Sequence, residues 1–165
     1  MLALPPRPHY VGPDMTAHSD IHSEIEDIVD EFDLLGDWEE RYKYLIDMGK
    51  ALPDMPGSDR TDANKVKGCV SQVWLVTEPG EDILTFRADS DAHIVRGLAA
   101  LLLRLYSGRT PADILSVDAR EVLKRIGLSE HLSPQRSNGL TSMIGRMPME
   151  RRKSKTEKML LHENW

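Results

Sequence analysis

The stretch Lys65-Val66-Lys67-Gly68-Cys69-Val70-Ser71-Gln72-Val73-Trp74-Leu75 decides how the rest of the chain is read. It contains the only cysteine in 165 residues, directly preceded by glycine and followed by β-branched and aromatic residues. Val70 to Thr77 is therefore predicted to be a strand, with Cys69 on the loop that enters it. Glu78-Pro79-Gly80-Glu81 reads as a turn. Ile83 to Arg87 reads as the hairpin partner, with Leu84 and Phe86 on one face. A lone hairpin is marginal in water, so it has to pack on helices.

The helices lie on either side. Upstream, Ile21, Ile25, Ile28, Val29 and Phe32 recur at helical spacing, with Ser19 or Asp20 as cap and Gly36 as the end. Asp37 caps a second helix, Trp38 to about Leu52, which Pro53 stops. Downstream, Asp89 or Ser90 is the expected cap of the strongest helix, Ala92 to about Tyr106. Its apolar residues Ile94, Val95, Leu98, Leu101, Leu102 and Leu105 cover enough of the surface to bury most of it. Thr110 opens a short helix at Pro111, and Asp118 caps another that Gly127 closes. Ser133-Pro134 starts a last helix carrying Leu140, Met143, Ile144 and Met147. Grouped strands among helices predict an α+β fold, a small antiparallel β-sheet packed against several α-helices.

Residues 1–17 carry four prolines and no periodicity, which predicts a mobile leader. Within it Met15 is a second candidate start beside Met1. Residues 18–147 form the expected folded domain. Residues 148–165 are polar and basic, through Arg151, Arg152, Lys153, Lys155 and Lys158, and are expected to be a mobile tail.

Composition narrows the function. An apolar fraction of 40% and a charged fraction of 29% are ordinary for a globular protein. A formal net charge of −6 argues against nucleic acid as the main partner. The longest apolar run, Gly97 to Leu103, is bounded by Arg96 and Arg104 and is too short to span a bilayer. One cysteine excludes an internal disulfide, an all-cysteine zinc site and a cluster held by this chain's thiolates alone. A free thiol and the lack of a secretory signal point to the cytoplasm. His9, His18, His22 and His162 are scattered and offer no metal-ligand set, so no metal is expected.

Cys69 itself supports three readings. Gly68 frees the backbone before it, and Lys65 and Lys67 favour the thiolate. In an extended segment Lys65, Lys67, Cys69 and Ser71 would share one side. That is the pattern of a functional thiol. Alternatively, beside Val70, Val73 and Trp74, the cysteine is a small buried hydrophobe in a non-catalytic binding module. As the nucleophile of a stand-alone cysteine enzyme it would need a base, for which His93 and His131 are the candidates.

The residues from Val66 to Trp74 resemble the sulfur-acceptor motif of the SufE family, the cysteine desulfuration proteins that include the CsdE branch. Three further blocks resemble the family in its order. They are Asp37 to Ile46 with Lys50-Ala51-Leu52-Pro53, Asp89 to Ala92 with Ile94 to Leu98, and Leu128 with His131 to Leu140. Together they cover about residues 24–147. The resemblance implies a SufE/IscU-type α+β fold and a sulfur carrier. Cys69 would accept persulfide sulfur from a SufS-type or CsdA-type cysteine desulfurase, stimulate that enzyme, and pass the sulfur to a SufBCD-type iron–sulfur scaffold. It implies a transfer protein and desulfurase activator rather than a stand-alone enzyme, with no cofactor of its own, since pyridoxal phosphate belongs to the desulfurase. Lys67, Gly68, Ser71, Gln72, Asp91 and Arg136 are implied as partner-binding or loop-supporting residues. Asp91 can equally be a helix cap, and Arg136 a tie between the last helix and the sheet. Val70 departs from the pattern, because the family commonly has glutamine there. The transfer chemistry agrees with the residues, since a thiolate attacking a persulfide needs neither base nor metal.

Overall fold

The computed structural model describes residues 20–147. The leader 1–17, the whole basic tail 148–165 and the histidines at 9, 18 and 162 lie outside the described residues. So do Ser19 and both candidate starts. Helix α1 spans Ile21–Asp33, and the Asp20 carboxylate accepts from the His22 N–H at 3.4 Å. Leu34 is its C-terminal cap residue, two positions before Gly36. Helix α2 spans Trp38–Lys50, two residues short of Leu52. Asp37 caps it by accepting from the Glu40 N–H at 2.9 Å, and the Glu40 carboxylate reaches back to the Gly36 N–H at 2.7 Å. Both orphan donors of that turn are satisfied reciprocally.

Strands β1 (Val73–Pro79) and β2 (Leu84–Ser90) pair antiparallel, in register from Val73 opposite Ser90 to Pro79 opposite Leu84. Leu84 and Phe86 are buried, as the alternation required. The strand limits differ from expectation in a systematic way. β1 starts three residues after Val70, and β2 runs on through Asp89 and Ser90. Val73 pairs with the last residue of β2, so residues 70–72 have no strand to pair with and stay in the loop.

Helix α3 follows at His93–Tyr106, with Ala92 as the cap residue, and is almost wholly buried. It is the common neighbour of α1, α2, β2 and α4 (Pro111–Ser116). Its crossing with α2 is backbone against backbone. A Cβ at Gly97 would lie 2.6 Å from the Leu45 carbonyl carbon, and one at Gly49 would lie 2.7 Å from the Gly97 nitrogen. Only glycine fits either position. Arg104 ties α3 to α1, donating to Glu24 at 2.8 Å and through both terminal nitrogens to Glu31 at 2.8 Å. The Arg104 hydrogen bond, working against burial, holds Glu31 below the usual carboxylate range.

Thr110 caps α4 and Asp118 caps α5 (Ala119–Arg125) as expected, and Gly127 turns the chain at φ +76°. The Tyr106 hydroxyl donates to the Val117 carbonyl and accepts from the Ala119 N–H, which fixes that corner to the end of α3. Helix α6 begins at residue 134 behind Ser133 and continues to residue 147, the last one described. Among the described residues the result is an α+β fold of six α-helices and one two-stranded antiparallel sheet. Among the described residues no helix is long and apolar enough to cross a membrane.

Candidate functional site

Cys69 lies in the loop between a single 3-10 turn at Asp62–Asn64 and β1, half-buried against α6. Gly68 has φ +90°, a conformation L side chains rarely adopt, and a Cβ there would lie 2.7 Å from the Ser142 hydroxyl. That turn breaks the extended geometry, so Lys65, Lys67, Cys69 and Ser71 do not alternate on one side. Lys67 is exposed. Burial alone moves the Cys69 thiol, and it moves it up, toward the neutral form. The resting environment therefore opposes the thiolate that the two lysines were expected to favour.

The thiol points at Gly139. Its Sγ donates to the Gly139 carbonyl at 3.6 Å, and a Cβ on Gly139 would lie 3.1 Å from the sulfur. The seat thus exists because α6 carries a glycine at this position. Beside it is a cavity of about 290 Å³. Val95 and Leu98 of α3 and Leu140 and Met143 of α6 give it apolar walls, while Ser71, Ser133 and Arg136 add polar groups. The Arg136 side chain is exposed and makes no hydrogen bond or ion pair among the described residues. Val70, also lining the cavity, is 74% exposed, so an apolar side chain faces outward next to the thiol.

Gln72 ends the loop, and the β2–α3 corner holds both its backbone groups. Its N–H donates to the Asp91 carboxylate at 3.0 Å, and its carbonyl accepts from the Ser90 hydroxyl at 2.7 Å and the Asp91 N–H at 3.2 Å. Ser90 also accepts from the Ala92 N–H at 3.2 Å. These two residues thus serve the cysteine loop as well as the helix start. Behind them Asp89 is fully buried. It accepts from the Ser90 N–H at 2.7 Å, the Met55 N–H at 3.3 Å and Arg60 at 2.6 Å. Arg96 Nε stands 3.4 Å from the same carboxylate, an ion-pair contact without hydrogen-bond geometry. Burial raises the Asp89 pKa, but these donors outweigh it and leave the carboxyl below its ordinary value.

The structure therefore brings Gly68, Ser71, Gln72, Asp91 and Arg136 around the Cys69 loop and leaves Lys67 exposed. Residues that sequence reasoning did not single out for the site include Gly139 and Ser142 on α6 and Val95 and Leu98 on α3. The helical apolar pattern marks the last two only as core. Neither candidate base lines the cavity. His93 is an exposed residue of the first turn of α3. The His131 ring stacks on Trp38 at 3.7 Å between centroids, and its carbonyl accepts from the Tyr42 hydroxyl at 2.6 Å. Among the described residues no three His, Cys, Asp or Glu side chains gather as a metal site. What the arrangement offers is one seated thiol, an adjoining cavity and a short loop that can carry the thiol.

Comparison with known proteins gives a consistent picture. A family model described as "SufE: Fe-S metabolism associated domain" matches residues 26–151. An uncharacterized SufE-like protein of Rhizobium meliloti (strain 1021) is 52% identical over 130 residues, covering 76% of this chain and 93% of that protein. A second, from Rhizobium etli, is also 52% identical over 130 residues, covering 76% of this chain and 88% of that protein. Among solved structures, the solution structure of a hypothetical protein from Thermus thermophilus superposes with a TM-score of 0.67. It covers 81% of this chain and 96% of its own at 21% identity, a likeness of fold alone.

Proposed function

The chain belongs to the SufE family, and from that premise we propose that Cys69 is the acceptor of persulfide sulfur from a cysteine desulfurase. The family sets the chain in the sulfur transfer of iron–sulfur metabolism, in association with such an enzyme. In the proposed step the Cys69 thiolate attacks the terminal sulfur of the donor's persulfide. A new bond forms between Cys69 Sγ and that sulfur, the donor's S–S bond breaks, and the donor cysteine leaves as a thiolate. Sulfur oxidation states are exchanged between partners, and no outside oxidant or reductant is needed. An iron–sulfur scaffold of the SufBCD type then takes the terminal sulfur by the same attack, and Cys69 returns as the leaving thiolate.

The observation that carries this reading is the company the thiol keeps. It sits beside a cavity whose lining, among the described residues, includes no histidine, aspartate or glutamate. Hydrolytic use would need a base within reach, whereas sulfur exchange needs only the thiolate. The single cysteine supports the reading too, because a second thiol in the chain would resolve the persulfide into a disulfide. At rest burial favours the neutral thiol, so the proposal requires the loop to carry Cys69 out of its seat when the partner docks. Arg136 and Val70, exposed at the rim, and Asp91 and Gln72 at the loop's base are the proposed partner-facing and loop-supporting groups.

The test is incubation with a cysteine desulfurase and L-cysteine, followed by mass spectrometry of the cysteine peptide. One added sulfur on Cys69, removable by a thiol reductant, is expected together with faster desulfurase turnover. Cys69→Ser should abolish the stimulation, and undiminished stimulation by that variant would overturn the acceptor role.

A further inference from the structure

Resting on the acceptor reading of Cys69, we propose that Arg146 is a positioning residue that sets how readily the cysteine loop lifts from α6. Gly139, Ser142 and Arg146 are spaced three and four apart and share one face of that helix. The segment 63–69 runs along this face in the opposite direction. Residues 63–65 meet Arg146, Gly68 meets Ser142, and Cys69 meets Gly139. The first of these contacts is much the strongest. Arg146 donates to the carbonyls of Asn64 and Lys65 through Nη1, at 3.2 and 2.8 Å, and to that of Ala63 through Nη2, at 3.1 Å. These carbonyls lie at the end of the Asp62–Asn64 turn, where acceptors lack partners within the turn. A guanidinium fork meets several such oxygens at once, and a point cation does so less well.

The contrast with the loop itself gives this contact its consequence. Among the described residues, residues 67–71 make one hydrogen bond, the 3.6 Å contact of Cys69 Sγ to Gly139. Downstream the span is fixed at Gln72. Upstream, Val66 is bonded to Val73 at 2.8 Å, which closes the neck of the loop on its own strand. Arg146 joins that neck to the helix that holds the resting thiol. Loss of the fork removes these hydrogen bonds from the neck to α6 and leaves the one to the sheet. The open population then rises, and the partner captures Cys69 at lower concentration, since apparent affinity scales with the competent fraction.

The experiment is native-state alkylation of Cys69 by iodoacetamide in the full chain, which reports the open population and needs no partner. Arg146→Gln should alkylate about fivefold faster than the unaltered protein, as expected for loss of a charged donor in a part-exposed site. Arg146→Lys should fall between the two. Arg125→Gln, which breaks an exposed ion pair to Glu26, should change nothing. With a desulfurase, Arg146→Gln should lower the half-saturating concentration and leave maximal turnover as it was. Alkylation of Arg146→Gln at the original rate, or equal acceleration by Arg125→Gln, overturns the inference. If Arg146→Gln loses its far-ultraviolet circular dichroism, Arg146→Lys decides alone by the same criterion. Faster alkylation without sulfur uptake in any variant would sink the acceptor reading and keep the tether. Sulfur uptake with unchanged alkylation would do the reverse.

Discussion

Helix α3 meets two neighbours in contrasting ways. Against α2 it packs with no side chain between the backbones at Gly49 and Gly97. Toward α6, its Val95 and Leu98 face a cavity of about 290 Å³, and the loop beyond is held by little more than one weak sulfur contact. One face of the helix is as tightly filled as a protein interior becomes, while the other keeps room beside a reactive atom. The difference teaches where each kind of sequence constraint acts. The crossing fixes the frame, and the cavity lets one short segment change place without disturbing that frame.

The strongest way to break this comparison is to add one methyl group to each region. Gly97→Ala pushes a Cβ into the Leu45 peptide. Because backbone must move, the expected cost is about 4 kcal/mol, in the range of severe overpacking. Urea unfolding should show it, and a loss under about 1 kcal/mol would mean that the crossing relaxes cheaply. A second and smaller blow to the frame is Arg104→Ala, which strands Glu24 and Glu31. With both partners part-exposed, roughly 2 kcal/mol is expected, below the full figure for a buried pair. Because Glu31 titrates below its ordinary value, the pair's contribution is present above the ordinary carboxylate range. It fades as pH falls through the depressed value. The difference between Arg104→Ala and the unaltered protein should therefore shrink in acid, and a difference independent of pH would refute the assignment.

How much of this was legible in the sequence follows the range of the forces. The caps at Asp20, Asp37, Thr110, Asp118 and Ser133 were readable because each side chain bonds a backbone group two or three residues away. Asp89 was not, because its partners Met55 and Arg60 lie about thirty residues off and hold it in the strand instead. Residues 70–72 read as strand in the sequence and are loop in the structure, because β-propensity is blind to whether a pairing partner exists. The resemblance of whole blocks points to Cys69, whereas its local sequence points to the wrong electrostatics. Two lysines nearby in sequence do not offset burial against a helix whose contact with the thiol spans 70 residues. Gly139 looks like any helical glycine until the loop is seen lying on it.

That glycine gives the partner experiment to Gly97→Ala. In Gly139→Ala the new methyl stands 3.1 Å from Cys69 Sγ, a flexible side chain's end rather than backbone. Stability should stay within about 1 kcal/mol, because alanine's helix propensity offsets the crowding. The thiol, however, loses its seat, and native alkylation should rise several-fold. Two identical substitutions would then give opposite readouts, one moving stability and the other reactivity. If Gly139→Ala instead alkylates at the original rate, the seat is not what protects the thiol.

The smallest expected effect sharpens the same contrast through pH. Burial raises the Cys69 pKa, so between the unfolded and folded values the native chain keeps a proton that the unfolded chain has released. The associated stability is fully present below the unfolded thiol's pKa and is lost as pH rises through the folded one. Alkylation of the native chain should therefore reach half its limiting rate at a higher pH than alkylation of the same chain in urea. In Gly139→Ala that midpoint should move back toward the unfolded one, because the displaced sulfur meets more water. A native midpoint at or below the unfolded one would mean that Lys65 and Lys67 outweigh burial after all, and that the thiol is activated before any partner arrives.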